Sequence, residues 1–261
     1  MKITEIKSKD NEKIKLARKL GQKKYRDEFS MFCVENLATV YDAVCAGIFP
    51  EVLFATKDFV RKNEEKFSFV LKKAKLKEYF LIDEKINKSI SDLERASGLV
   101  AIFVKRKSKI NFSKPIIYLN EINDPGNLGT ILRTALAFSL KNIVLDETCA
   151  DLYNSKTIGA AKDSIFKLNF AFDKDLKILR EIKNKMKIFC TRLEDSKDLK
   201  LLKKEKVFCI VLGNEARGVS PEIQQAADFF VKINMSKEME SLNVACAAAI
   251  IFHEVYMREL T

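Results

Sequence analysis

The 261-residue sequence predicts an α/β protein in two parts, the second built on a parallel sheet. Three observations carry that expectation. Beyond residue 110, apolar β runs alternate with helical patterns, as strands joined by covering helices do. Three motif-bearing turns each follow such a run, at the strand ends where sheets of this kind bind ligands. The charge is also uneven: residues 1–110 hold 25 Lys+Arg and 16 Asp+Glu, residues 111–261 hold 22 and 20, so a net of +9 precedes a net of +2. The polar run Lys105–Lys109 reads as a boundary, which gives a basic domain over 1–105, a linker over 106–113 and a second domain over 114–261.

In the first part, Ile14, Leu16, Ala17 and Leu20 have helical spacing within 11–20, and Leu37–Ala46 reads as an apolar helix. Phe32–Val34, Val52–Ala55 and Leu99–Val104 read as strands. In the second part the expected strands are 115–120, 142–145, 187–190, 207–212 and 229–233. The expected helices are 128–139, 175–182, 221–227, which has Pro221 at an early position, and 242–257.

Composition narrows the function classes. A hydrophobic content of 47% with 10% aromatics excludes a wholly disordered chain, and eight Gly with four Pro exclude a collagen-like one. The formal charge of +11 points to a polyanionic partner, and Lys23, Lys24 and Arg26 are the candidate RNA contacts. Six cysteines without a CxxC pair and a single histidine, His253, argue against a metal site. The thiols read as reduced, buried small hydrophobes, and His253 as structural. No apolar run reaches membrane-spanning length and Met1–Glu5 is charged, so the expectation is a soluble, cytoplasmic protein.

Three segments carry chemistry. Asn123-Asp124-Pro125-Gly126-Asn127-Leu128-Gly129 opens a helix that bears Arg133, with Asn127 the expected N-cap. A helix N-terminus there would turn N–H groups toward an anion. In Gly213-Asn214-Glu215-Ala216-Arg217-Gly218, two glycines flank a carboxylate after a strand, which suits close backbone approach to a ligand. Ser241 and Asn243 bracket the start of the last helix. Each segment alone is also consistent with ordinary capping or a solvated turn.

Together they resemble the three motifs of the TrmH/SpoU branch of the SPOUT RNA methyltransferases: Gly-Asn-Leu-Gly-Thr-Ile-Leu-Arg-Thr-Ala, Gly-Asn-Glu-Ala-Arg-Gly and Ser-Leu-Asn-Val-Ala, in the family's order over 115–257. The segment with Lys24-Tyr25-Arg26 and Phe32–Glu35 is similar to the small α/β/α substrate-binding domain of that branch, which has a ribosomal-protein-like form. Asn36 stands where that domain usually has Gly, Asn234 where the third motif usually has Pro, and Lys237 near an expected glycine.

The resemblance implies a deep trefoil knot in the second domain, a homodimer, and methyl transfer from S-adenosylmethionine to a ribose 2′-hydroxyl of RNA. Ribosomal RNA is favoured over tRNA and guanosine over other nucleosides. It assigns Arg133 and Asn127 to catalysis and lets Glu215, Ser241 and Asn243 complete the site. Gly213, Ile233, Met235 and Leu242 match positions that cradle the cofactor. Arg133 is open to two readings, a general base or a cation that clamps phosphate and stabilises the forming alkoxide. A tRNA methyltransferase of the same family and a catalytically silent RNA-binding or ribosome-assembly factor are the alternative functions. The absence of GxGxxG and of a Walker-type loop argues against an unrelated nucleotide-dependent enzyme.

Overall fold

The computed structural model describes residues 2–236, 238 and 241–258. In chain order the elements are β1 (Lys2–Ile6), α1 (Glu12–Lys19), α2 (Lys23–Glu28), β2 (Met31–Val34), α3 (Leu37–Cys45), β3 (Val52–Thr56), α4 (Lys57–Lys62), α5 (Glu64–Lys73), β4 (Glu78–Ile82), α6 (Glu84–Ile90) and β5 (Leu99–Val104). There follow β6 (Ile116–Leu119), α7 (Pro125–Ala137), β7 (Asn142–Asp146), α8 (Ser155–Ala161), α9 (Ser164–Lys167), β8 (Asn169–Asp173) and α10 (Lys177–Lys183). The last are β9 (Lys187–Thr191), β10 (Lys197–Asp198), a 3₁₀ turn over Leu199–Lys204, β11 (Phe208–Leu212), α11 (Pro221–Gln224), β12 (Phe229–Lys232) and α12 (Val244–Arg258).

Two compact units divide the chain. The first is Met1–Arg106 together with Tyr153–Phe166, and the second is Lys107–Leu152 with Lys167–Thr261. A single cut near residue 110 therefore does not describe them, because the segment that bears α8 belongs to the first unit. Its aromatic side chains explain why: Tyr153 packs on Phe32 with centroids 4.6 Å apart, and Phe166 lies 4.9 Å from Phe103. Burying such rings contributes roughly 1.5–3 kcal/mol each.

The first unit holds a five-stranded sheet in the order β1-β4-β3-β5-β2, where β1, β4 and β3 run parallel and β5 is antiparallel to β3 and β2. Its core gathers Ile14, Leu20, Phe54, Ile86, Val100 and Ile102. The second unit holds a seven-stranded, all-parallel sheet in the order β10-β12-β9-β11-β6-β7-β8. β6 and β11 are buried along their whole length, which is why they read as unbroken apolar runs rather than alternating ones. Non-sequential strand order brings the carboxyl ends of β6, β11 and β12 into one region of this sheet.

Several boundaries moved for local reasons. α7 starts at Pro125, not Leu128, because Asp124 is the N-cap: its Oδ1 accepts from the Asn127 amide at 2.7 Å. Asn127 is thus inside the helix, and its side chain is released from capping. α10 starts at Lys177 rather than Asp175, since Asp175 and Leu176 sit at φ +56° and +55° and cannot continue a right-handed helix. The Asp173 carboxylate caps that helix through the Ile178 and Leu179 amides at 2.8 and 3.0 Å. At α12 the N-cap is Asn243, whose Oδ1 accepts from Ala245 and Cys246. The sequence does not announce β1, β4, β8, β10, α2, α4–α6 or α8–α9.

Cys149, Cys190 and Cys209 are buried, as small apolar groups would be, and burial pushes the Cys190 thiol up to about 12. Cys45 and Cys246 are exposed, which departs from the expectation of buried thiols. Among the described residues, no helix is long and apolar enough to cross a membrane and no group of three His, Cys, Asp or Glu could hold a metal ion.

Candidate active site

The three sequence segments meet at the carboxyl ends of β6 and β11 and the start of α12. Asn127, on the first turn of α7, donates from Nδ2 to Glu215 Oε1. Asn243 donates from Nδ2 to Asn127 Oδ1 at 3.0 Å. One carboxamide thus links residues 88 and 116 positions away along the chain. The Asn243 side chain does two jobs, since its oxygen caps α12 while its nitrogen holds Asn127.

The loop that carries Glu215 is rigidly shaped. Asn214 and Gly218 exchange backbone hydrogen bonds at 2.9 and 2.8 Å, and Gly218 has φ +70°. A Cβ on Gly213 would come 2.3 Å from the Gly218 carbonyl carbon, so only glycine lets the two strands of the loop close. Asn214 Oδ1 accepts from the Ala216 and Arg217 amides, and its Nδ2 donates to the Glu121 carbonyl at 3.0 Å.

A polar hub under this loop was not foreseen. Asp146, at the end of β7, accepts from Asn120 Nδ2 at 2.6 Å and from the Glu121 amide at 2.9 Å. Asn120 Oδ1 in turn accepts from the Ser220 amide at 2.7 Å. Glu121 has φ +54°, a strained value for this residue type that these bonds hold in place. A polar residue that directly follows an apolar parallel strand was the available signal for Asn120.

Beside the triad lies a cleft of about 650 Å³. Gly213, Glu215, Ile233, Met235, Ser241 and Leu242 all line it. The wall is completed by residues not singled out from sequence, including the apolar Leu212, Val231, Val244 and Ile251 and the charged Arg192, Arg217 and Lys232. Arg192 stacks on the Phe230 ring at 3.7 Å, which fixes its guanidinium at the rim.

Other expected residues stand apart from the triad. Arg133 is exposed on α7 and has no hydrogen-bond or ion-pair partner among the described residues. Its six-residue separation from Asn127 puts it on a different face of that helix. His253 is exposed on α12, edge-on to Phe138 with centroids 5.8 Å apart. Asn36 caps α3 through the Thr39 amide, and Asn234 donates to Asp198 at 2.6 Å. Lys237 lies outside the described residues. In the first unit Lys23 and Lys24 are exposed on α2. Arg26, by contrast, is only 4% exposed, and its Nη1 donates to the Leu20 and Gly21 carbonyls at 2.8 and 2.7 Å. That corrects its reading as an RNA contact, because the side chain is buried and its Nη1 holds the end of α1 to α2.

Comparison with known proteins gives the family of the chain. Residues 114–253 match the model of the SpoU rRNA methylase family, and residues 11–101 match an MRM3-like substrate-binding domain. The chain is 27% identical over 255 residues to the 23S rRNA (guanosine(2553)-2′-O)-methyltransferase RlmP of Bacillus subtilis, covering 97% of this chain and 99% of that one. Among solved structures, the AdoMet-bound rRNA methyltransferase from Sinorhizobium meliloti is 28% identical with a TM-score of 0.83, covering 99% of both chains. The AdoMet complex of the SpoU methyltransferase AviRb from Streptomyces viridochromogenes shares the fold at a TM-score of 0.84 and 18% identity, over 96% of this chain and 99% of that one. With its family model spanning more than half the sequence, the chain belongs to the SpoU rRNA methylase family.

Proposed function

We propose that the protein is an S-adenosylmethionine-dependent methyltransferase that acts on a ribose 2′-hydroxyl of ribosomal RNA, with guanosine the favoured nucleoside. The observation that carries this reading is the Asn127–Glu215–Asn243 chain of hydrogen bonds beside the cleft. The substrate class is that named for the Bacillus subtilis relative, which matches this chain over nearly its full length.

The cleft suits the methyl donor. Its volume falls in the range of small-molecule sites. Leu212, Val231, Val244 and Ile251 offer an apolar wall for a purine, and the Gly213–Gly218 turn brings peptide groups forward without side chains in the way. Gly213, Ile233, Met235 and Leu242 would hold the donor, while Arg192, Glu215, Arg217 and Lys232 suit its zwitterionic end. When bound, S-adenosylmethionine supplies an electrophilic methyl group.

The chain's own residues then solve a positioning problem. Transfer would form the methyl–oxygen bond as the methyl–sulfonium bond breaks and a neutral thioether leaves, so the ribose oxygen must be held in line while its proton passes to solvent water. Asn127, gripped from both sides, presents its carboxamide in one orientation, and Ser241 lines the cleft wall. Arg133 acts as an exposed cation whose planar fork matches a phosphate or a forming alkoxide.

The proposal extends to a homodimer to which α12 contributes. What supports it is an exposed stripe on α12, Cys246, Ile250, His253 and Met257, in which Ile250 and Met257 are 43% and 40% exposed. A trefoil knot around the cleft, as the family has, and a cytoplasmic location, which six free cysteines suit, belong to the same reading. The deciding experiment is methyl transfer from labelled S-adenosylmethionine to ribosomal RNA and tRNA from a strain that lacks the gene, with the modified ribose mapped. Label in a large-subunit RNA nucleotide is expected. Label in tRNA alone would reassign the substrate, and RNA binding without transfer would leave a silent RNA-binding factor.

A further inference from the structure

We infer that Tyr25 on α2 and Phe29 at its C-terminal cap form a stacking platform for an unpaired base of the RNA substrate, an assignment that rests on the function proposed above. The two side chains are one helical turn apart, and their rings are inclined by only 15° with centroids separated by 6.3 Å. Phe29 is 37% exposed, so its ring is open to a ligand. Cations surround the pair: Lys19 Nζ lies 5.4 Å from the Tyr25 ring and 5.9 Å from the Phe29 ring, and Lys24 Nζ lies 5.7 Å from Tyr25. Arg18, Lys19 and Lys23 are exposed around the α1–α2 turn.

The acidic residues of α2 do not cancel this field. Asp27 is engaged by Lys105 at 2.6 Å, which leaves Glu28 as the remaining carboxylate on the helix. Aligned aromatic faces with lysines beside them are what an unstacked nucleotide needs, a π surface for the base and cations for the flanking phosphates. The buried Arg26 makes the platform rigid, because its bonds to Leu20 and Gly21 fix α2 against the end of α1.

A second aromatic pair in the same unit is a useful contrast. Tyr41 and Phe69 are tilted by 36°, and Phe69 is 40% exposed. Among the described residues only Lys66 lies near a ring of that pair, 4.6 Å from Tyr41, and the Cys45 thiol, then burial and the carboxylates of Asp42 and Glu65, raise the Tyr41 hydroxyl pKa. Exposure alone therefore does not single out Tyr25 and Phe29. Near-parallel geometry and net positive surroundings do.

The test uses the full-length protein and large-subunit ribosomal RNA in a filter-binding titration at several salt concentrations, alongside transfer activity. Phe29→Leu, which keeps an apolar side chain but removes the ring, should weaken RNA binding by about 5- to 100-fold. Its salt slope should stay unchanged and S-adenosylmethionine binding should be unaffected. Phe29→Trp should restore binding, and Phe69→Leu should leave it within twofold. Lys24→Ala should instead lower the salt slope by about one. Wild-type-like binding by Phe29→Leu, or equal losses in Phe29→Leu and Phe69→Leu, would overturn the platform. Loss of RNA binding in the wild type would overturn it too. Ring-dependent binding without transfer would uphold the platform and remove the proposed activity instead.

Discussion

Asn243 donates to Asn127 across 3.0 Å, and in doing so couples the first turn of α12 to the first turn of α7. Glu215 takes the other side of the same carboxamide. Because Asp124 caps α7, Asn127 has no local duty and is free to join the two motif segments. Such a group acts through orientation, so its removal should appear mainly in kcat.

Asn127→Ala is expected to lower kcat by on the order of 100-fold with little change in stability. Asn127→Asp separates geometry from charge. It places two carboxylates side by side, which raises one of their pKa values. Activity of that variant should therefore be lowest at high pH and recover as pH falls and the pair shares a proton. A pH profile parallel to that of the wild type would show that Glu215 and residue 127 are not in contact during the reaction.

Gly213→Ala tests the loop. Its Cβ would sit 2.3 Å from the Gly218 carbonyl carbon, inside any tolerated contact, so the Asn214–Gly218 turn must open. The overpacking should cost about 1–3 kcal/mol of stability. Calorimetry should show S-adenosylmethionine affinity reduced about tenfold or more, while RNA binding persists. Unchanged donor affinity would separate this turn from the cleft's function.

Arg26→Gln should destabilise the protein by roughly 2 kcal/mol, since the Leu20 and Gly21 carbonyls lose a charged donor in a buried place. The slope of RNA affinity against salt should stay as in the wild type, because Arg26 neutralises no phosphate. A slope reduced by about one in a folded Arg26→Gln protein would return the residue to the RNA surface.

Glu35 gives a pH signature. Burial raises its pKa above the ordinary carboxylate value, although the Ser91 hydroxyl and the Asp92 amide pull it back. A carboxyl with a raised folded pKa holds its proton better when folded than when unfolded. Its contribution to stability is thus highest in acid and falls as pH rises from about 4.5 through the folded value. Thermal melts of Glu35→Gln should lose this component of the pH dependence. An unaltered profile would place the titration elsewhere.

Strand ends and turns that carry the site were readable because they break apolar runs: Gly213 after β11 and Asn127 after β6 announce themselves against Ile, Val and Leu. What stayed hidden depends on three dimensions. Nothing local marks Tyr153–Phe166 as part of the first unit, since only its packing on Phe32 and Phe103 decides that. Arg26 looks like its lysine neighbours until the carbonyls of Leu20 and Gly21 are seen to hold it. Asp146 looks like a strand-end solvent carboxylate, yet it organises Asn120 and Glu121 beneath the Glu215 loop.

Arg133 offers the sharpest test of how the site works. Its guanidinium is exposed on α7 with no partner among the described residues, whereas Asn127 on the same helix is held from two sides. Under the proposed function, a residue so placed meets RNA rather than shaping the cleft. Arg133→Ala should abolish methyl transfer and leave S-adenosylmethionine affinity within twofold by calorimetry. Arg133→Lys keeps the charge but not the planar fork, so it should recover RNA affinity more fully than kcat. If the arginine acts as a cation, the pH profile of the lysine variant should match that of the wild type across neutral pH. A general base at this position would instead give a rate that climbs with pH as the lysine deprotonates, and lost donor affinity in Arg133→Ala would move the residue into the cleft wall.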